Sequence, residues 1–209
     1  MKTQYPITNL PFTTVTINDN FWSPRIETNR TVTVPYDFQK CEETDRIANF
    51  DKASGRATGD HVGIFFNDSD VFKVIEGAAY ALHLHPDPAL EHYVDDLIDK
   101  IAAAQEPDGY LYTARTIAER NGTPEKLRAD REGLTRWSNL RVNHEFYNVG
   151  HLYEAAVAYY QATGKRTLLD VALKNADLID GLFGPDKLRY PPGHQEIEIG
   201  LVKLYHVTG

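Results

Sequence analysis

Apolar residues recur at helical spacing over most of this chain, and the stretches between the periodic runs are short and rich in turn formers. From Asp70 to Leu84, Val71, Val74, Ala78, Ala81 and Leu82 fall on one helix face. Pro86-Asp87-Pro88 ends that run, and Pro88 opens another through Leu90, Val94, Leu97, Ile98 and Ile101 to Gln105. Glu145 to Thr163 reads as an alanine-rich helix stopped by Gly164, with Thr167 to Leu182 as its antiparallel mate. After Pro191-Pro192-Gly193, the segment from His194 to Thr208 starts a further helix that ends at Gly209.

The remaining segments give weaker patterns. Phe12 to Ile17 alternates β-branched and apolar residues, which predicts a short strand or extended arm. Ser23 reads as an N-cap with Pro24 at the first helical position, and Pro35 must kink that helix or begin a second segment. Residues 48–69, rich in Gly, Asp, Asn and Ser, read as a long ordered loop. Pro107 to Tyr112 reads as a turn followed by a strand-like aromatic piece, and Pro124 to Glu132 as a place for local helix.

The helical runs repeat. Sliding one hairpin onto the next superposes Glu76 on Glu154, Leu90 on Leu168 and Ile101 on Ile179. The run Leu201 to Gly209 echoes Val157 to Gly164, as though a third hairpin were beginning. Such hairpins bury their apolar faces only by stacking on one another. The expected fold is therefore all-α: the N-terminal portion of an (α/α)6-barrel, a toroid of helical hairpins. Residues 1–20 form an extended arm, and residues 21–209 the first part of a barrel domain expected to lack its C-terminal portion. A third hairpin without its outer helix leaves an apolar face open to self-association.

Composition narrows the function. A formal net charge of −8 and a pI near 5.4 argue against nucleic acid or an anionic membrane surface as partner. Met1 to Asn20 has no long apolar run, so neither a signal peptide nor a membrane span is expected there. The single cysteine, Cys41, excludes an internal disulfide framework and suits a reducing compartment, which points to the cytoplasm. Twelve tyrosines suit carbohydrate sites, where rings stack on sugars and hydroxyls hydrogen-bond, but tyrosine more often serves core edges.

Candidate chemistry gathers near the inner-helix starts. Gly150-His151 and Gly193-His194 lie at or near two of them, and Asn143-His144-Glu145 lies just before the first. Helix N-termini offer unpaired N–H groups and a positive dipole end, suited to hydroxyls and anions. Each histidine alone is more often structural than functional. As a set, with Glu145, Glu154, Glu196 and Glu198 close by, they suit a polar binding cleft. Metal spacing is poor: His144 and His151 lack the zinc-protease interval, and there is no Cys-x-x-Cys. Gly-x-Ser-x-Gly and phosphate-binding glycine loops are also absent. Carboxylates are plentiful, as glycoside hydrolysis requires.

Asn143-His144-Glu145-Phe-Tyr-Asn-Val-Gly150-His151-Leu-Tyr-Glu154 and Pro192-Gly193-His194-Gln195-Glu196-Ile-Glu198, with the closing Leu-Tyr-His-Val-Thr-Gly, resemble glycoside hydrolase family 127, the β-L-arabinofuranosidases. Phe21-Trp-Ser-Pro-Arg25 and Gln105-Glu-Pro-Asp-Gly-Tyr-Leu111 resemble it too. The resemblance implies an (α/α)6-barrel followed by β-sandwich domains in a longer protein that releases β-linked L-arabinofuranose with retention. It also implies a cysteine thiolate nucleophile held by zinc among further cysteines and a glutamate, with a separate glutamate as acid/base. Those residues belong to a later part of the family pattern, and Cys41 is not in that motif. On this resemblance no catalytic residue and no metal ligand falls within the chain, and zinc is expected only in the longer protein. His144 and His194 resemble the family's sugar-hydroxyl ligands, with Gln39 as a further candidate. His151 and Glu145 are expected behind them, and Tyr147 or Trp137 lining the cleft. The partner implied is an L-arabinofuranose-containing glycan. Two rivals stay open: another carbohydrate-active α/α-barrel enzyme, such as an unsaturated uronyl hydrolase or sugar epimerase, or a non-catalytic helical-repeat binding module.

Overall fold

The computed structural model describes residues 10–209, so the first half of the expected arm lies outside the described residues. In the second half, Phe12–Thr14 close a 3-10 turn instead of a strand, with the Thr14 N–H donating to the Pro11 carbonyl. No strand forms among the described residues, and alternation alone cannot make one without a neighbour to pair with. The turn is instead held by Phe12, whose ring meets Tyr80 and His83 edge-on at 4.8 and 5.4 Å.

Helix α1 spans Trp22–Thr28. Its cap is Asp19, not Ser23: Asp19 Oδ1 accepts from the N–H groups of Phe21, Trp22 and Ser23, leaving Ser23 inside the first turn. The chain widens into a π-helical turn over Asn29–Thr33 and continues as α2, Val34–Glu43, with Pro35 at its start. Pro35 thus begins a second segment, its missing N–H absorbed by the wide turn.

Within the stretch expected to be a loop, Ala48–Ser54 form α3, which buries Phe50 and Ala53 and ends at Gly55 in the left-handed conformation (φ 81°). The irregular part that follows is held by two fully buried asparagines. Asn49 and Asn67 both donate to the Val62 carbonyl, and Asn49 also accepts from the Val62 N–H. This satisfies backbone groups that no helix serves.

Helices α4 (Asp68–Leu84) and α5 (Pro88–Ala104) form the first expected hairpin, with Asp87 capping α5. Tyr110 to Tyr112 are buried without becoming a strand, and an unforeseen helix α6 follows over Thr113–Arg120. The Asp68 carboxylate starts α6 by accepting from the Thr113 N–H at 2.8 Å and the Thr113 hydroxyl at 2.5 Å. The local helix expected near Pro124 shrinks to a 3-10 turn at Pro124–Lys126. The second hairpin is α7 (Glu145–Thr163) and α8 (Thr167–Leu182), and α9 spans Glu196–Thr208.

Helices α4, α7 and α9 pack side by side as an inner row, while α5 packs against α3 and α8 outside it. This is the hairpin stacking of an α/α barrel, present as part of one. Helix α7 sits mid-row and is buried on nearly every side, with its own Leu152, Tyr153, Ala155, Ala156 and Tyr159 enclosed by its neighbours. Its approach to α9 is set by glycines: a Cβ on Gly150 would lie 2.7 Å from the Ile197 nitrogen, and one on Gly200 2.7 Å from the Gly150 carbonyl oxygen. Helix α9 leaves Ile199, Val202 and Tyr205 at least half exposed.

Candidate functional site

The site forms where the segment before α7 meets the segment before α9. Gly193 is the joint. Its N–H donates to the Leu140 carbonyl at 3.1 Å, and a Cβ there would lie 2.0 Å from the Arg141 carbonyl oxygen. Only glycine allows that approach, which brings His194 beside His144. The two imidazoles meet edge-on at 4.5 Å between centroids. Leu140, Arg141, Tyr147 and Pro192 complete the lining of the depression around them.

His144 caps α7 from a left-handed conformation (φ 66°), uncommon for a residue with a Cβ. The surroundings over-determine it. Its ring stacks on Phe66 at 4.2 Å and 17°, and its Nδ1 contacts the Val142 carbonyl. Burial lowers its pKa below that of a free histidine, favouring the neutral ring, which can both donate and accept. A neutral His144 ring beside the His194 ring suits sugar hydroxyls.

Tyr147 organises the cluster. Its ring stands perpendicular to His144, His194 and His151 at 5.4, 5.3 and 4.6 Å, and its hydroxyl accepts from Lys73 Nζ at 2.5 Å. His151 faces two carboxylates, with Nδ1 3.2 Å from Glu196 Oε1 and 3.6 Å from Glu154 Oε2. Lys203 on α9 ties Glu154 to Glu76, which lies 3.2 Å from its ammonium. His151 and Lys203 hold the Glu154 carboxyl below the ordinary range, while burial and the Glu154 charge raise Glu196. The repeat explains the gathering. The superposition that sets Glu76 on Glu154 sets Lys73 on His151, and aligning Gly164 with Gly209 sets His151 on Glu196. Equivalent positions on successive inner helices thus converge.

Three of the five expected residues therefore share one cluster: His144, His194 and His151. Glu145 turns elsewhere. It is 1% exposed, and it accepts from the Tyr110 hydroxyl at 2.5 Å, the Trp137 N–H at 2.9 Å and the Asn143 amide. Its carboxyl, raised by burial, joins the loop before α7 to the Tyr110 segment. Gln39 is exposed on α2 and pairs with Glu43 at 2.6 Å. Of the two candidate lining aromatics, Tyr147 lines the depression, whereas Trp137 packs against Tyr110, Phe146 and Phe183. Phe66, Lys73 and Lys203 had no signal in the motif pattern, although the repeat register contains Lys73.

Cys41 is enclosed in the core, 4% exposed, and burial pushes its thiol up to about 11. One protonated thiol does not fit a zinc centre built from several thiolates.

Residues 14–209 match the sequence family described as β-L-arabinofuranosidase, GH127 catalytic domain. A non-reducing end β-L-arabinofuranosidase of Bifidobacterium longum subsp. longum is 46% identical over 165 residues, covering 78% of this chain and 24% of that protein. The solved structure of the GH127 β-arabinofuranosidase BT3674 superposes with a TM-score of 0.87 at 48% identity, covering 98% of this chain and 32% of that one. Ara127N-Se, a GH127 β-L-arabinofuranosidase from Geobacillus stearothermophilus T6, gives 0.83 at 42% identity, covering 92% and 30%. The chain thus spans a quarter to a third of the length of these relatives.

Proposed function

The chain belongs to the GH127 β-L-arabinofuranosidase catalytic-domain family, and from that membership we propose that it forms the sugar-cradling part of a retaining β-L-arabinofuranosidase. The observation that carries this reading is the neutral-favouring His144 packed edge-on against His194 in a depression lined by Tyr147. His144 and His194 hydrogen-bond furanose hydroxyls, and Tyr147 supplies a flat apolar flank. His151 supports the cradle through Tyr147, and Glu145 supports it by fixing the loop that carries His144. Gln39 stays a peripheral candidate. Residues 21–209 are read as the first part of the barrel domain. The zinc and thiolate centre, the acid/base and the nucleophile come from residues outside this chain, consistent with the fraction of its relatives that it spans.

The substrate is a glycan ending in L-arabinofuranose. No described helix is long and apolar enough to cross a membrane. A cytoplasmic location is supported by the acidic charge and the single unpaired cysteine. The exposed apolar residues of α9 support self-association of this chain.

The test is hydrolysis of a β-L-arabinofuranoside by the enzyme that carries this chain. His144→Ala or His194→Ala lowers kcat/KM at least about tenfold, equivalent to ~1.4 kcal/mol of transition-state stabilisation. Unchanged kinetics in both variants excludes the assignment, and activity confined to unsaturated uronides turns it to a different enzyme on the same scaffold.

A further inference from the structure

The cluster beside the histidine pair contains ligand atoms that sugar binding does not use. His151, Glu154 and Glu196 each offer one, and all three lie within 4.8 Å of one another. Two ligands at roughly 2.0–2.1 Å from a tetrahedral zinc ion stand about 3.3 Å apart. The separations from His151 Nδ1, 3.2 Å to Glu196 Oε1 and 3.6 Å to Glu154 Oε2, are those of a tetrahedral edge.

An independent observation also points to a ligand. His151 Nδ1 and Glu196 Oε1 are enclosed and, beyond their 3.2 Å contact with each other, have no aligned hydrogen-bond partner, and His151 Nε2 has none either. The His151 side chain is 12% exposed, so solvent does little to serve it. An enclosed polar atom without a partner is unfavourable, and one cation would satisfy two of these three atoms. Lys203 does not fill the place. It engages Oε1 of Glu154 and leaves Oε2 facing His151, which is how an outer-sphere group orients a ligating carboxylate.

We propose that His151, Glu154 and Glu196 bind one zinc-type divalent cation, tetrahedral, with its fourth position open to water. An imidazole with two carboxylates suits zinc better than magnesium or calcium, which prefer more oxygen ligands. The ion bridges the second turn of α7 to the first residue of α9, and so fixes the segment that carries His194. This site lies wholly within the chain, is separate from any cysteine centre, and does not depend on the glycosidase reading.

Metal-stripped chain is titrated with zinc chloride and, separately, with cobalt chloride. The expected result is one equivalent bound per chain, a raised Tm, and intense visible cobalt absorption of tetrahedral type without a thiolate charge-transfer band. Glu196→Gln weakens zinc binding by more than the roughly 10- to 100-fold that loss of an outer-sphere partner costs. The exposed neighbour variant Glu198→Gln leaves binding unchanged. Absence of stoichiometric binding, a weak octahedral cobalt spectrum, or full zinc affinity in Glu196→Gln overturns the proposal. Should Glu196→Gln fail to fold, the stoichiometry and cobalt spectrum of the unmodified chain decide alone.

Discussion

Glu145 follows His144 in the chain yet serves different neighbours, and the contrast shows what a single position contributes. His144 is spent on Phe66 and His194, whereas Glu145 is the common acceptor for Tyr110, Trp137 and Asn143. Glu145→Ala strands several buried donors at once and should destabilise the fold by about 3 kcal/mol in urea unfolding, with Glu145→Gln costing less because it keeps an acceptor. Equal losses in the two variants would remove the acceptor argument. Asp68 gives a pH test. Burial raises its carboxyl from 3.8 to about 6, so the folded state binds the proton more tightly than the unfolded state. The resulting stabilisation is full below about pH 4 and is lost as pH rises through about 6, a swing on the order of 3 kcal/mol. Asp68→Asn should flatten that part of the stability-against-pH curve; an unchanged slope refutes the assignment.

At the scale of elements, contact between inner helices depends on small residues. A Cβ on Gly200 would stand 2.7 Å from the Gly150 carbonyl oxygen and 2.9 Å from Tyr153 Cβ, whereas one on Gly77 meets nothing within 4 Å. Gly200→Ala should therefore cost about 1–3 kcal/mol and loosen α9 from α7, read as faster amide exchange in α9. Gly77→Ala, in the interior of α4, should instead stabilise by about 0.5–1 kcal/mol. The same sign for both would contradict the packing described. Helices that pack through an apolar face, α4, α5, α7 and α8, were readable from periodicity almost to the residue. Helices α3 and α6 were not, because each is short and is held by tertiary partners. Phe50 and Ala53 are buried against other elements, and Thr113 is fastened by Asp68 from α4.

Across the whole molecule, the inner row ends on α9 with Ile199 50%, Val202 55% and Tyr205 66% exposed. Apolar residues at this spacing on an outer face favour association. Sedimentation should show concentration-dependent self-association of this chain, reduced by Val202→Glu; a strictly monomeric chain at high concentration rejects it.

Local chemistry was enough to set the helical hairpins, their repeat and the resemblance that names the family, because helical period and turn residues act over a few positions. It also brought His144, His151 and His194 forward as a set. It could not say which neighbouring side chain turns where, so Glu145, expected behind the histidine pair, instead serves Tyr110, Trp137 and Asn143. Nor could it bring His151, Glu154 and Glu196 to one point. Two of them share α7 at helical spacing, but the third arrives from α9, and it comes close only because Gly150 and Gly200 let the two helices touch. Proximity between distant residues is decided by packing, and that belongs to the tertiary structure alone.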